Sequence, residues 1–538
     1  MIAVNNLSLQ FGKRTLFEDV NIKFTKGNCY GVIGANGAGK STFLKILSGE
    51  IESTTGNIDI TPGERMSVLS QNHFAFDTFP VLETVIMGNS KLYEIMKEKD
   101  AIYAKADFTD ADGLRVGDLE ADFAEMDGWN AESDAAELLS NLGVAEAKHD
   151  ILMSELTGSE KIKVLLAQAI FGNPDILILD EPTNDLDINT IGWLENFLAD
   201  FKNTVIVVSH DRHFLDMVCT HMVDIDFKKI SIYTGNYTFW YETSQLLMKQ
   251  RGDKNKKTET KRAELMDFIA RFSANASKSK QATSRKKALE KLNIDEMQAS
   301  TRRYPGIFFK QNRDAGDQIL DVVNLSYELE GKPLFSKVSF TMNRGDKITV
   351  VSKNQLAVTA FLRMLAGELV SKTGDVKWGI TITKSYIPND NSEYFNKDLS
   401  LIDWLRQYST EKDETFIRGF LGRMLFSGEE SLKNCKVLSG GEKVRCMISK
   451  TMLEEANFLI LDEPTNHLDL ESITSINNGV IDFQGSMIFT SHDHQFTHTI
   501  ANRVIELTPN GILDKLMTYD EYLADERVVE QKAALYGV

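Results

Sequence analysis

A glycine-rich octapeptide near the N-terminus contains the residue types that bind a triphosphate. Gly37 and Gly39 permit backbone angles that direct N–H groups at phosphate oxygens, and Lys40 adds a positive charge. Ser41 offers a hydroxyl to Mg²⁺. The loop follows a strand-like run and would open a helix, whose N-terminus favours anions. The predicted nucleotide-binding residues are Gly34, Ala35, Asn36, Gly37, Ala38, Gly39, Lys40, Ser41 and Thr42.

Four polar residues elsewhere in the first half could complete a hydrolytic site. Asp180 ends an apolar strand-like run and would place a carboxylate beside Mg²⁺, and Glu181 could orient or deprotonate the attacking water. His210 ends a second apolar run and could reach the γ-phosphate, while Gln71 could contact both Mg²⁺ and water. A single histidine after a strand is more often structural. The prediction of catalysis therefore depends on the order of all the motifs together.

The chain carries this set of motifs twice. The segment that begins at Asn6 recurs 318 residues later, whereas those that begin at Leu156, Asp180 and Ser209 recur 282 residues later. The first half therefore has 36 additional residues (318 less 282), between Gln71 and Leu156. Because apolar strand-like runs alternate with helical stretches in both halves, we predict two α/β domains, each with a mixed or parallel core sheet and a helical subdomain.

The additional residues predict a helical arm at about 84–141. It would have two helical stretches around a polar turn at 108–113. Between residues 89 and 140 there are 14 acidic and 5 basic side chains. Such an acidic arm is a poor surface for RNA, so a protein contact is favoured, with a solvated hairpin that has no partner as the alternative.

The middle of the chain has the opposite charge. The whole chain carries −18, but residues 241–310 hold 17 Lys or Arg against 8 Asp or Glu. We predict a helical hairpin there, with one helix from about 241 to 271, a polar turn at 273–277 and a second helix to about 292. A basic segment between acidic halves favours contact with a polyanion. The predicted RNA-binding residues are Arg271, Lys278, Lys280, Arg285, Lys286 and Lys287. The predicted domains are residues 1–240, 241–310 and 311–538.

Other features of the sequence exclude several classes of protein. No apolar stretch is long enough to span a membrane, and the N-terminus lacks the basic start and apolar middle of a signal peptide. The four cysteines form no close metal-binding pair and are typical of buried thiols in a reducing cytoplasm. We therefore expect a cytoplasmic protein. The charged stretch at 519–534 is predicted to be a helix that packs against the second domain.

The ordered motifs resemble those of the ATP-binding-cassette superfamily. Two cassettes on one chain, with a basic linker and no membrane domain, are similar to the ABC-F family, and the linker run 271–285 and the stretch 425–427 resemble its YbiT-like branch. The resemblance covers nearly the whole chain. It implies an ATPase that uses ATP and Mg²⁺, with its cassettes paired within a monomer. It also implies binding at the ribosomal exit-site region, with the arm on that side and the linker tip, near 272–286, close to peptidyl-site tRNA and large-subunit rRNA.

The family's head-to-tail pairing of cassettes implies two composite ATP sites. In each, the phosphate loop of one cassette faces the Leu-Ser-Gly-Gly signature of the other. Applied to this chain, the loop at 34–41 faces an intact signature, and Phe11 is the aromatic residue expected to stack on adenine. The signature residues that this pairing adds to the first site are Ser439, Gly440, Gly441 and Glu442.

The second composite site has lost most of its phosphate chemistry. At the offset of 318, Val358 replaces Lys40, and Gln355 and Ala357 add Cβ atoms where a phosphate loop favours glycine. These changes could exceed about 4 kcal/mol, or roughly a thousandfold in affinity. We therefore predict that only the first site hydrolyses ATP efficiently. The residues of the degenerate site are Ser352, Val358, Thr359, Asp462, Glu463, His492 and Ser159. Its surviving Asp-Glu and His residues suit either residual catalysis or a structural role in the neighbouring loop.

The favoured function is a ribosome-associated ATPase. ATP would close the cassettes, the basic linker would adjust tRNA or peptidyl-transferase geometry, and hydrolysis would release the factor. One alternative is a soluble ATPase subunit of a transporter, which needs neither the linker nor the arm. Another is an ATPase that remodels RNA or DNA away from the ribosome. Within the ribosomal function, the short turn at 273–279 favours a housekeeping or stress role over antibiotic protection.

Overall fold

The computed structural model consists of two compact units. The first comprises Met1–Ser209 and Phe214–Thr301, and the second comprises His210–His213 and Arg302–Val538. The residues that the structure describes are 1–12, 14–70, 72–105, 107–184, 186–272, 302–329, 331–371 and 373–536.

The first unit is built on two β-sheets. Its described strands are β1 Ile2–Phe11, β2 Arg14–Phe24, β3 Cys29–Gly34, β4 Thr55–Ile60, β5 Met66–Val68, β6 Ile176–Asp180, β7 Thr204–Val208, β8 His221–Asp226 and β9 Lys229–Thr234. Among them, six strands form the central sheet in the order β5-β6-β7-β3-β8-β9, with only the β8–β9 pair antiparallel. The antiparallel second sheet has the order β2-β1-β4.

The sequence of the central strands explains where the site lies. β6 and β7 are apolar and buried along their length, as expected for parallel strands that are covered on both faces. The Cα atom of Val208 pairs with Asp180 on one side and with Val32 of β3 on the other. The carboxyl ends of β3, β6 and β7 therefore meet at one edge of the sheet, which is where parallel sheets bind ligands.

Helices cover the central sheet and form the predicted arm and linker. The described helices of the N-terminal half are Lys40–Leu47, Val81–Ile86, Ser90–Tyr103, Asp110–Glu125, Ala131–Asn141, Gly158–Ile170, Ile188–Asp200, Arg212–Val218 and Tyr237–Phe272. The helix predicted to start near residue 241 begins earlier, at Tyr237, and is described as far as Phe272. The predicted turn and second helix of the linker lie outside the described residues.

The arm is a helical hairpin with its own packing. The helices Ser90–Tyr103 and Asp110–Glu125 pack together, and the turn between them lies earlier in the chain than predicted because Thr109 caps the second helix. The Nζ atom of Lys99 lies 3.7 Å from the ring centroid of Phe123 and 2.9 Å from the Glu120 carboxylate. The hairpin is thus stabilised by internal contacts. Its binding to another protein stays a prediction.

The second unit repeats this architecture. Its described strands are β10 Leu320–Leu329, β11 Lys332–Met342, β12 Lys347–Val351, β13 Thr373–Trp378, β14 Lys384–Ile387, β15 Phe458–Asp462, β16 Ser486–Thr490, β17 Arg503–Thr508 and β18 Gly511–Lys515. Their sheets have the orders β14-β15-β16-β12-β17-β18 and β11-β10-β13, the same arrangement as in the first unit. The predicted α/β class and its duplication are confirmed.

Eight α-helices are described in the C-terminal half: Gln355–Ala366, Leu401–Arg406, Glu414–Arg423, Gly440–Glu454, Leu470–Ile481, His494–Ile500, Tyr519–Ala524 and Glu526–Tyr536. The last two contain the predicted C-terminal helical stretch. None of the helices that the structure describes, in either unit, combines the length and apolarity needed to cross a membrane.

Candidate nucleotide site

The predicted phosphate loop of the first unit joins β3 to the helix Lys40–Leu47. Gly37 and Gly39 have left-handed backbone angles, with φ of 76° and 106°, which residues with a Cβ atom rarely adopt. Lys40 is buried, and its Nζ atom donates across the loop to the carbonyl oxygen of Gly34, 2.8 Å away. A cation and the first N–H groups of a helix therefore lie together, an arrangement that binds anions.

Two acidic residues lie at the carboxyl end of β6: Asp180, which is predicted to bind Mg²⁺, and Glu181, which is predicted to be catalytic. Asp180 is the last residue of the strand. Glu181 follows with a left-handed φ of 53°, and its N–H donates to the carbonyl oxygen of Val208 at 2.8 Å. Left-handed angles at residues other than glycine are strained and cluster at functional sites. No local sequence pattern predicts this backbone angle, because a hydrogen bond to β7 stabilises it.

The other residues predicted for the first site have different outcomes. Ser41 and Thr42 are the second and third residues of the helix that follows the loop. Phe11 ends β1 with 54% of its side chain exposed, as a ring that stacks on a base would require. Gln71 lies outside the described residues. His210 follows β7 in sequence but groups with the second unit, so its catalytic role stays a prediction.

The donor set of the first site fits Mg²⁺. Ser41 and Asp180 provide hydroxyl and carboxylate oxygens, which this cation prefers. Among the described residues, no group of three or more His, Cys, Asp or Glu side chains could hold a metal ion. Magnesium usually binds through one or two protein oxygens together with substrate phosphates, so these residues suit a nucleotide-bound Mg²⁺ better than a resident metal.

The intact signature of the second unit opens the helix Gly440–Glu454. Ser439 caps this helix: its Oγ atom accepts from the N–H of Glu442 at 3.3 Å, and its N–H donates to the Glu442 carboxylate at 2.9 Å. A Cβ atom at Gly441 would lie 2.6 Å from the carbonyl oxygen of His467, so only glycine fits there. The first unit repeats the cap with Thr157 but has Ser159 at the position of this glycine.

The corresponding segment of the second unit, residues 352–359, is described in full and does not form a comparable phosphate loop. Its helix begins at Gln355, three residues before the position that corresponds to Lys40. The side chain of Asn354 caps the added turn and accepts from the N–H of Leu356 at 3.1 Å. Val358 is fully buried in the apolar core. The degenerate sequence therefore replaces the loop with helix, so the backbone N–H groups of this turn no longer form a phosphate cradle.

The acidic residues that survive in the second unit are bonded to the chain itself. Glu463 is buried, and burial raises the pKa of its carboxyl group. This carboxylate accepts from the N–H of His492 at 3.0 Å and from the side-chain amide of Gln355 at 3.3 Å. A residue of the degenerate loop thus bonds directly to Glu463. This geometry favours the structural alternative for Glu463 and His492.

Asp462 provides a test of the electrostatics in this unit. Burial raises the pKa of Asp462 from 3.8 to about 7, although Thr359 and the backbone at Asn389 oppose the shift. Between these values the folded state binds a proton that the unfolded state has released, so the free energy of unfolding falls as pH rises. We expect Asp462→Asn to raise the melting temperature at pH 8 by about 3–8 °C. Little change is expected at pH 4, where the buried carboxyl group of Asp462 is protonated in the folded chain and is as neutral as the amide that replaces it.

Thermal unfolding of the parent and variant chains from pH 4 to pH 8 measures this difference. Asp375→Asn, which removes an exposed carboxylate from β13, is the control and should not change the pH dependence. Equal stabilisation by Asp462→Asn at both ends of the range would contradict the assignment.

The C-terminal helix packs on the remnant of the second phosphate loop. The N–H of Lys353 donates to the Oη atom of Tyr536 at 3.1 Å, and the Lys353 ammonium lies 4.2 Å from the centroid of its ring. Tyr536 in turn donates to the carbonyl oxygen of Leu507 at 3.3 Å. A backbone N–H of the former loop is therefore already bonded within the chain. Sequence reasoning predicted the helix but not this contact.

The predicted RNA-binding residues cannot be placed. Arg271 belongs to the helix Tyr237–Phe272, but its side chain is not described. Lys278, Lys280 and the basic run at 285–287 lie outside the described residues. Their contact with RNA stays a prediction that depends on charge alone.

Comparison with known proteins identifies the family of both units. A family model described as ABC transporter matches residues 17–184 and 335–466, and a second model with the same description matches 223–309. The chain is 61% identical to the uncharacterized ABC transporter ATP-binding protein YkpA of Bacillus subtilis (strain 168) over the full length of both. It is 44% identical to the probable ATP-binding protein YbiT of Escherichia coli O157:H7, covering 98% of this chain and all of that protein.

A plant relative and two solved structures extend the comparison. ABC transporter F family member 2 of Arabidopsis thaliana is 30% identical, covering 99% of this chain and 80% of that protein. The RNase-L inhibitor has a TM-score of 0.61 at 18% identity, covering 99% of this chain and 93% of that chain. A complex of archaeal ribosomal stalk protein aP1 and archaeal ribosome recycling factor aABCE1 has a TM-score of 0.60 at 18% identity. The match covers 99% of this chain and 98% of that chain. These two structures support the fold.

Proposed function

The chain belongs to the ATP-binding-cassette family, among its F-type tandem ATPases, and we propose that it is a cytoplasmic, ribosome-associated translation factor. The main support for this proposal is the basic linker. It contains 17 Lys or Arg residues and 8 acidic residues, and it lies between two acidic cassettes in the sequence. Neutralisation of phosphates by such residues supplies much of the affinity for RNA. One protein of similar fold is described as a ribosome recycling factor, but at 18% identity that likeness supports only the fold.

Each residue of the first site has a distinct part in the proposed ATP cycle. The loop N–H groups and Lys40 bind the triphosphate, and Ser41 and Asp180 hold Mg²⁺. The metal supplies charge neutralisation when it is bound. Glu181 accepts a hydrogen bond from the attacking water and orients it toward the γ-phosphate. Closure of the cassettes on ATP positions the linker near peptidyl-site tRNA and large-subunit rRNA, and hydrolysis releases the factor.

We further propose that the two ATP sites are unequal. Support comes from the helix that begins at Gln355 in place of a loop, from buried Val358, and from the bond between Lys353 and Tyr536. Each feature removes a phosphate partner from the second unit. The first unit retains both its glycines and Lys40.

Nucleotide stoichiometry tests this inequality. We expect Glu181→Gln protein, saturated with ATP and Mg²⁺, to retain one tightly bound ATP per chain, because only the first unit has both the loop glycines and a lysine at the position of Lys40. Equilibrium dialysis with labelled ATP measures the ratio, and Lys40→Ala on the same background should remove that nucleotide. Two tightly bound ATP molecules per chain would show that the second site is competent.

The ribosomal proposal is tested by comparing polyanions as activators of the ATPase. Ribosomes should stimulate steady-state phosphate release more than naked duplex RNA or DNA at equal phosphate concentration. Stimulation by duplex alone would instead favour an ATPase that remodels nucleic acid away from the ribosome. Copurification with a membrane protein would favour the transporter alternative.

A further inference from the structure

A polar cavity of about 360 Å³ lies in the second unit at the carboxyl end of β14. Thr359 of the degenerate loop forms part of its wall, and Tyr386, Tyr394 and Tyr408 line it. All of its lining residues belong to the second unit, and none is among the residues predicted for the first ATP site.

Tyr386 gives the cavity an unsatisfied polar group. Its side chain is 7% exposed, and its Oη atom is buried without a hydrogen-bond partner among the described residues. Buried hydroxyl groups almost always have a partner, so an orphan in a cavity wall indicates a missing one. A ligand that can donate to, or accept from, this oxygen would complete the site.

The charges around the cavity favour a cation. Three carboxylates line it, from Glu368, Asp390 and Glu393, against two cations, Arg363 and Lys397. Arg363 lies 3.5 Å from the carboxylate of Glu368, so part of the positive charge is already paired. The net charge of the lining groups is therefore negative.

The tyrosine rings are also suited to a cation. The ammonium of Lys450 lies 5.6 Å from the ring centroid of Tyr394 and 5.5 Å from that of Tyr408. Both rings therefore already take part in cation–π contacts. A metal ion is a poorer candidate, because no described group of three or more His, Cys, Asp or Glu side chains could hold one.

The degenerate loop explains why an ammonium would be accommodated at this place. Thr359 and Asn389 line the cavity and also lie against Asp462, which is fully buried. The intact loop carries a lysine, whereas this loop carries Val358. The second unit thus has no lysine at the position that corresponds to Lys40.

We propose that this cavity binds an alkylammonium group, from a free polyamine or from a lysine side chain of a partner. The tyrosine rings and the carboxylates of Asp390 and Glu393 surround the ammonium, and Tyr386 contributes its hydroxyl oxygen. The proposal is independent of ribosome binding and goes beyond the proposed function.

Binding to the full-length protein tests the proposal directly. Isothermal titration at about 0.15 M salt uses spermidine as the free polyamine and N-acetyl-lysine methylamide as the lysine side chain. We expect Tyr386→Phe and Glu393→Gln each to weaken binding by at least about fivefold. Glu429→Gln removes the same charge from an exposed position and corrects for general attraction to a chain of net charge −18.

Two further measurements distinguish an ammonium-binding site from a purely structural role of Tyr386 and from a site that binds anions. Without ligand, Tyr386→Phe should not lower the melting temperature, because it removes a hydroxyl that has no partner. A clear decrease would overturn the proposal, as would equal affinity of the parent and Tyr386→Phe proteins. Binding of inorganic phosphate that is lost in Lys397→Gln, with no binding of either amine, would identify an anion site instead. The amine that binds more tightly identifies the source of the ammonium group.

Discussion

The Glu181→Gln protein is expected to hydrolyse ATP about 100- to 1,000-fold more slowly than the parent chain and to bind ATP with little change. The amide retains the size of the carboxylate but cannot accept a proton from water. Binding is spared because the loop glycines and Lys40 hold the phosphates from a different strand end. Steady-state phosphate release and equilibrium binding of labelled ATP separate the two effects.

Glu463→Gln is the matched control within the same chain. Glu463 has the same left-handed backbone as Glu181, with φ of 52° against 53°, and its N–H bonds to β16 as that of Glu181 bonds to β7. The substitution is therefore the same in chemistry and is made at a residue with the same backbone geometry. We expect less than about a twofold change in rate, because no phosphate loop faces Glu463 within its unit. An equal loss of activity in both variants would contradict the inequality of the two sites.

The comparison of Glu181 with Glu463 also explains why the second unit retains its acidic motif. Both residues hold a strained backbone angle, although only one unit has a phosphate loop. In the second unit the carboxylate bonds to the N–H of His492 and to Gln355. Loss of this carboxylate would leave these two partly buried donors without this partner, which is destabilising. Retention of Glu463 therefore does not require catalysis.

Much of this site was predictable from the sequence because local patterns encode it. Glycines and a lysine before a helix indicate the first loop, and Asp180 at the end of an apolar run indicates the sheet edge. The capping boxes at Thr157 and Ser439 follow from a hydroxyl residue three positions before a glutamate. The motifs that recur at two fixed offsets predicted the duplication of the α/β domain and the position of the additional residues.

The features that escaped prediction depend on contacts between distant segments. Lys353 and Tyr536 are 183 residues apart, and no local pattern links them. Cys29 and Cys219 are likewise distant in sequence, yet their Sγ atoms lie 3.9 Å apart as free, buried thiols. The early start of the helix at Gln355 could have been predicted from the sequence, because an asparagine at the N-cap position precedes an apolar helical run.

The linker carries the second large prediction. Replacement of five basic residues by alanine should weaken ribosome binding by at least about 100-fold at roughly 0.15 M salt. If each contacts a phosphate, the slope of log affinity against log salt should decrease in magnitude by about 3.5–4.5. The residues are Lys278, Lys280, Arg285, Lys286 and Lys287. Cosedimentation with ribosomes over a range of salt concentrations measures both quantities.

The basal ATPase activity should survive these changes, because none of the five linker residues is among those predicted for the first ATP site. The control variant removes five lysines from exposed positions of the two units and keeps the linker intact; it replaces Lys23, Lys26, Lys332, Lys377 and Lys436. It lowers the total positive charge by the same amount, so general electrostatic attraction predicts the same loss of binding in both variants. A specific linker contact predicts a loss only in the first. Equal sedimentation of the linker variant and the parent would remove the main support for the ribosomal proposal and leave the ATPase assignment unaffected.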